Sequence, residues 1–85
     1  MCFSKLREDP EQILQRLGMR FRSLRVMRQE AVDEVARHID IPARLLERIE
    51  KGLYDLEVAL FVRLCSYYDV APSWMMAPDT RRTIL

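Results

Sequence analysis

The chain has 85 residues, with 14 Lys and Arg against 13 Asp and Glu and a formal net charge of +1. That length fits one domain, and 49% hydrophobic with 32% charged residues is a globular composition. A charge so near zero excludes a polybasic tail, so a nucleic-acid binder of this composition has to sort its charges in space.

The apolar stretches are too short for a transmembrane helix, and residues 1–9 lack the apolar core of a secretory signal. Cys2 and Cys65 sit in unlike settings and form no disulfide framework, which points to the reducing cytoplasm. His38 is the one histidine and there is no Cys-x-x-Cys, so neither a metal site nor a cofactor is expected. With no nucleophile–base pair and no phosphate-cradling glycine loop, an enzyme is not expected either.

Residues 1–9 show no period and are expected to fray. Pro10 opens an amphipathic helix in which Leu14, Leu17, Phe21 and Leu24 step by three and four, with Ile13 and Met27 alongside. Its other face carries Arg16, Arg20, Arg22 and Arg28. Val32, Val35, Ala36 and Ile39 predict a short second helix over 31–38, with Glu30, Asp33 and Glu34 at its positive end. Asp40-Ile41-Pro42 interrupts the pattern. Pro42 disfavours a helical Ile41 and suits the first turn of a third helix, which runs to about Lys51, buries Leu46 and Ile49 and stops at Gly52.

Asp55 is the expected N-cap of a fourth helix marked by Leu56, Ala59, Leu60, Leu64, Cys65 and Tyr68. After Asp69-Val70-Ala71, Pro72 to Met76 fits a short fifth helix with Trp74 as its apolar anchor. The tail 78–85 reads as loose. The expected architecture is therefore all-α, a compact five-helix domain over 10–77. Its second and third helices are too short and too tightly joined to lie antiparallel, so they pack steeply, as a helix-turn-helix does, with the motif over about 31–51.

From Leu17 to Met76, 60 of the 85 residues, the chain resembles the helix-turn-helix domain of the lambda repressor/Cro family. The resemblance is carried by VARHIDIPARLLERIEKG, where Val35-Ala36 stand for the family's Leu-Ala and Leu46, Ile49, Glu50, Lys51 and Gly52 repeat its Leu-x-x-Ile-Glu-(Arg/Lys)-Gly ending. It continues in YYDVAPSWMM, with Val70 and Trp74 in register. The resemblance implies a lambda-repressor-like DNA-binding domain whose third helix lies in the major groove.

Carried over position by position, base reading falls on Ala43, Arg44, Leu45 and Arg48, while Lys51 reaches phosphate. Arg44 and Arg48 are four apart and point the same way. Arg25 and Glu50 match family positions that pair, and they imply a partly buried ion pair that orients the reading helix. The function implied is a sequence-specific transcriptional regulator that binds a pseudo-palindromic double-stranded DNA operator as a homodimer. The family's Ser/Thr-Gln at the start of the second helix is replaced by Ala31 and Val32, which removes a cap and a phosphate contact. That departure supports an alternative: a module that keeps the fold and binds a protein partner, with little or no DNA affinity.

Several residues are open to two readings. The first-helix arginines are either a phosphate-facing stripe or a solvated surface. Leu45 is either a methyl reader or a rim residue of the core. Tyr67, Tyr68, Trp74, Met75 and Met76 are either a core plug or a dimer interface, where aromatics and Met are enriched. His38 reads as a helix-end cation and Cys65 as buried packing. Residues 16–51 hold nine Lys and Arg against six Asp and Glu, so the positive surplus lies in the first three helices.

Overall fold

The computed structural model describes residues 9–78, and among these it contains five α-helices and no strand. They are α1 (Pro10–Met27), α2 (Val32–His38), α3 (Ala43–Glu50), α4 (Val58–Tyr68) and α5 (Pro72–Met76). The expected frayed segment 1–9 and loose tail 78–85 lie outside the described residues, apart from Asp9 and Pro78. Asp9 occupies the N-cap position of α1, and its backbone N–H donates to Gln12 Oε1 at 3.3 Å.

The apolar spacing of α1 turns Leu17 and Phe21 fully inward. They meet Val35, Ala36 and Ile39 from α2 and its end, Leu46 and Ile49 from α3, Leu60, Leu64, Cys65 and Tyr68 from α4, and Met75 from α5. α1 packs most extensively on α3, and it also contacts α4 and α5. Phe21 is the aromatic centre of this core, edge-on to Phe61 and stacked on Tyr68, each with ring centroids 6.0 Å apart.

The first four helices end in the same way. A residue in the left-handed region follows the last turn, at Gln29 (φ 59), Asp40 (φ 60), Gly52 (φ 75) and Asp69 (φ 58). Paired backbone bonds close each end, as in Asp40 N–H to Arg37 O and Ile41 N–H to Ala36 O at 3.3 and 3.0 Å. α2 starts at Ala31, which has no capping oxygen. Instead Glu34 turns back and accepts the Ala31 N–H at 2.9 Å, the half of a capping box that the acid supplies alone.

Three local expectations are corrected. Pro42 stands at the N-cap of α3 with ψ 142, not inside its first turn, and its carbonyl accepts the Leu45 N–H at 3.0 Å. Asp55 does not cap α4, which begins three residues later with Glu57 at the N-cap. Between them, exposure alternates along 53–57, with Tyr54 and Leu56 packed on the core and Leu53, Asp55 and Glu57 outside, so this stretch is an extended strap. Trp74 is not the anchor of α5: it is 55% exposed, and its neighbour Met75 fills the core completely.

Candidate nucleic-acid interface

α3 has eight residues and is about 12 Å long. Its apolar stripe, Leu46 and Ile49, faces the core, which leaves Arg44, Glu47, Arg48 and then Lys51 exposed on the outer side. Ala43 and Leu45 are half-buried and pack against the core, so they lie at the rim of that face. Arg48 is partly committed: its Nη2 donates to the Leu53 carbonyl at 3.1 Å, and Leu53 N–H donates back to the Arg48 carbonyl at 2.9 Å.

Two contacts hold α3 in place. The first is an ion pair of fork geometry. Arg25 Nε donates to Glu50 Oε2 at 2.8 Å and Nη2 to Glu50 Oε1 at 3.0 Å. The Glu50 side chain is only 4% exposed and that of Arg25 13%. The Glu50 hydrogen bond raises the Arg25 pKa against the opposing effect of burial. Arg25 Nη1 also donates to the Glu30 carbonyl at 3.0 Å, so one guanidinium ties α1, the α1–α2 turn and the end of α3 together.

The second contact is a close backbone approach. Gly18 of α1 lies directly against the last carbonyls of α3. A Cβ there would stand 2.6 Å from the Glu50 oxygen and nearer still to that of Ile49. One turn earlier, Gln15 lies so close to Gly52 that a Cβ on Gly52 would come within 2.8 Å of the Gln15 Cα. The C-terminal end of α3 thus rests on the 15–18 stretch of α1. In the sequence Gly52 reads only as the stop of the third helix, and Gly18 carries no assigned role. The one available signal was a glycine inside an otherwise strong helix, where it costs about 1 kcal/mol against Ala and so requires a packing reason.

The arginine stripe of α1 is divided. Arg20 is turned to the far end of the molecule, where Nη1 donates to the carbonyls of Met75 and Ala77, both at 2.7 Å, and its guanidinium lies 5.9 Å from the centre of the Trp74 ring. Arg28 lies over Tyr67 and Tyr68, 5.2 and 5.5 Å from their ring centres, and donates to the Tyr67 carbonyl at 3.2 Å. Both therefore serve as ties between helices. Arg22 is exposed on α1.

The residues open to a core or a dimer reading are divided too. Tyr68 and Met75 are core residues, 5% and 0% exposed. Tyr67 is half-buried, and its hydroxyl donates to Glu30 Oε2 at 2.6 Å, which raises its pKa. Trp74 and Met76 remain on the surface, 55% and 44% exposed. Burial raises the Tyr68 phenol, with the charges of Glu50 and Glu30 adding to the shift, and burial likewise raises the Cys65 thiol. His38 donates from Nδ1 to the Glu34 carbonyl at 2.9 Å, within its own helix. Among the described residues no group of three or more His, Cys, Asp and Glu gathers at metal-binding distance, and no helix is long and apolar enough to cross a membrane.

What this arrangement can do is present two arginines and a lysine from a short helix whose orientation is fixed from behind. A major groove about 12 Å wide admits a single α-helix with its side chains. No protein-family model matches the chain, and no curated protein or solved structure is significantly similar to it.

Proposed function

We propose that the chain is a small sequence-reading DNA-binding regulator of the lambda repressor/Cro helix-turn-helix type, acting as a homodimer on a pseudo-palindromic operator. The observation that carries this reading is the exposed row Arg44, Arg48 and Lys51 on a helix pinned by the Arg25–Glu50 fork and the Gly18 contact. An arginine fork suits the O6 and N7 atoms of a guanine, worth about 1–3 kcal/mol of discrimination. Arg44 takes that role first, because Arg48 already spends one donor on Leu53. Lys51 takes a phosphate. Two copies paired through the exposed side of α5 at Trp74 would set their reading helices about 34 Å apart, one helical turn of DNA.

The test is binding to genomic fragments at two salt concentrations, followed by selection from random DNA. Affinity falls steeply as salt rises. Arg44→Ala relaxes preference at one operator position, whereas Lys51→Ala weakens all sequences alike and lowers the salt slope by about one. Absence of binding at low salt refutes this reading.

A second reading rests on a specific observation. Arg20 and Arg28 are engaged within the fold, and Val32 offers no side-chain donor where a phosphate contact is wanted. That favours a protein-binding module of the same fold, for which the salt experiment gives no binding at either concentration.

A further inference from the structure

Two buried polar atoms lack a hydrogen-bond partner where α1, α3 and α4 meet. Tyr68 is 5% exposed, and among the described residues no hydrogen-bonding group reaches its hydroxyl. Glu30 Oε1 is likewise shut off from solvent without a hydrogen bond. Arg28 Nε lies 3.6 Å from that oxygen, beyond hydrogen-bond distance. Folded proteins pair nearly all of their buried polar atoms, so two such atoms in one place call for a common partner.

Both atoms belong to one junction. The Arg28 guanidinium that faces Glu30 also lies over the Tyr68 ring, 5.5 Å from its centre. Tyr67, whose ring centre is 5.0 Å from that of Tyr68, gives its hydroxyl to the other Glu30 oxygen. Arg25 joins the Glu30 carbonyl to the buried Glu50 carboxylate. The charges of Glu50 and Glu30 both help to raise the Tyr68 phenol, so both carboxylates stand near it.

We propose that this junction is a binding site for one buried water, which accepts from the Tyr68 hydroxyl and donates to Glu30 Oε1 and to the Glu50 carboxylate. The chemistry of the three groups selects that guest. A phenol can donate one bond, and ionised carboxylates only accept. The partner they share has to accept one bond and donate two, and a buried water makes about three bonds in all. An anion would meet two carboxylates. A cation has no charge left to balance, because Arg25 and Arg28 already stand against Glu50 and Glu30. The site adds a tie from α4 to the seam between α1 and α3, and it does not depend on whether the chain binds DNA.

The test is a high-resolution crystal structure of the chain, read beside the thermal unfolding of Tyr68→Phe. The expected result is a water oxygen within about 3.2 Å of both Tyr68 Oη and Glu30 Oε1. Tyr68→Phe keeps the ring in the core, so the folded helical signal stays. Its unfolding midpoint falls by roughly 4–8 °C, the effect of losing one net hydrogen bond in a domain of this size. Three results overturn the proposal. Tyr68 Oη seated directly on a carboxylate oxygen replaces the water with a direct bond. Electron density for an ion, or for nothing, between these groups removes the water. A midpoint that stays or rises in Tyr68→Phe shows that the hydroxyl has no partner in the folded state.

Discussion

The two flanks of α1 are held by opposite means. Toward α3 the contact is close and polar, with Gly18 against main-chain carbonyls and Arg25 forked onto a buried carboxylate. Toward α4 and α5 the contact is apolar and leaves a groove, with Arg20 reaching over to the carbonyls that end α5. A close backbone approach with a directional ion pair allows one orientation of α3. An apolar wall allows small shifts and keeps surface for another occupant. The flank that fixes geometry is the one that bears the candidate reading helix.

Substitutions can break that contrast. The largest loss is expected from Glu50→Ala, which strands the Arg25 guanidinium and costs about 3–5 kcal/mol of stability in urea unfolding. A loss below about 1 kcal/mol, the scale of a surface pair, would show that the fork is not what holds α3. Gly18→Ala comes next. The added methyl meets backbone that cannot turn aside, and the cost is about 2–3 kcal/mol even though Ala gains about 1 kcal/mol of helix propensity. On the other flank Arg20→Ala removes charged hydrogen bonds from a part-exposed site, and the expected loss is about 1–2 kcal/mol. If Arg20→Ala matches Glu50→Ala, the two flanks are equivalent and the comparison fails.

Alkaline titration sharpens the picture where the flanks meet, at Tyr67 and Tyr68. Both phenols are raised above their ordinary value of 10.0, Tyr67 by its bond to Glu30 and Tyr68 by burial. A raised pKa means that the stabilisation is complete below pH 10.0 and is lost as pH rises through the folded values. Unfolding followed against pH therefore shows a decline above that point. Tyr68→Phe makes that decline shallower, since it removes the phenol that burial keeps neutral while Tyr67 preserves the onset. A variant whose decline is equally steep would assign the effect elsewhere.

The helices were readable because their apolar residues recur often enough to fix a period. Leu14, Leu17, Phe21 and Leu24 allow only one face, and the 18-residue length of α1 follows from Pro10 and that face. The strap was misread because Leu56 and Leu60 are four apart and suit a helix, while Tyr54 and Leu56 suit an extended chain equally well. In α5 five residues hold little more than one turn, too few for a period, so side-chain size favoured Trp74 when position favours Met75.

At the candidate site, the pairing of Arg25 with Glu50 was implied by the family resemblance and not by spacing, since a separation of 25 positions gives no register. The Gly18 contact could not be read at all: a glycine shows that room is needed, but not which backbone fills it. The partial loss of the arginine stripe has the same origin. Helical spacing puts Arg20 and Arg28 on a surface, and only the position of α4 and α5 shows that the surface is occupied.

The left-handed residues that end the first four helices also bear on how quickly the chain folds. Each of these turns is closed by backbone bonds spanning at most five residues, so most of the path is settled by neighbours meeting neighbours. Closing loops of that size carries little entropic cost, and the Arg25–Glu50 closure is longer but still modest. A helical chain of such local order folds in roughly microseconds to milliseconds. Laser temperature-jump relaxation would measure that rate, and Gly18→Ala should show whether the α1–α3 seam forms before or after the barrier.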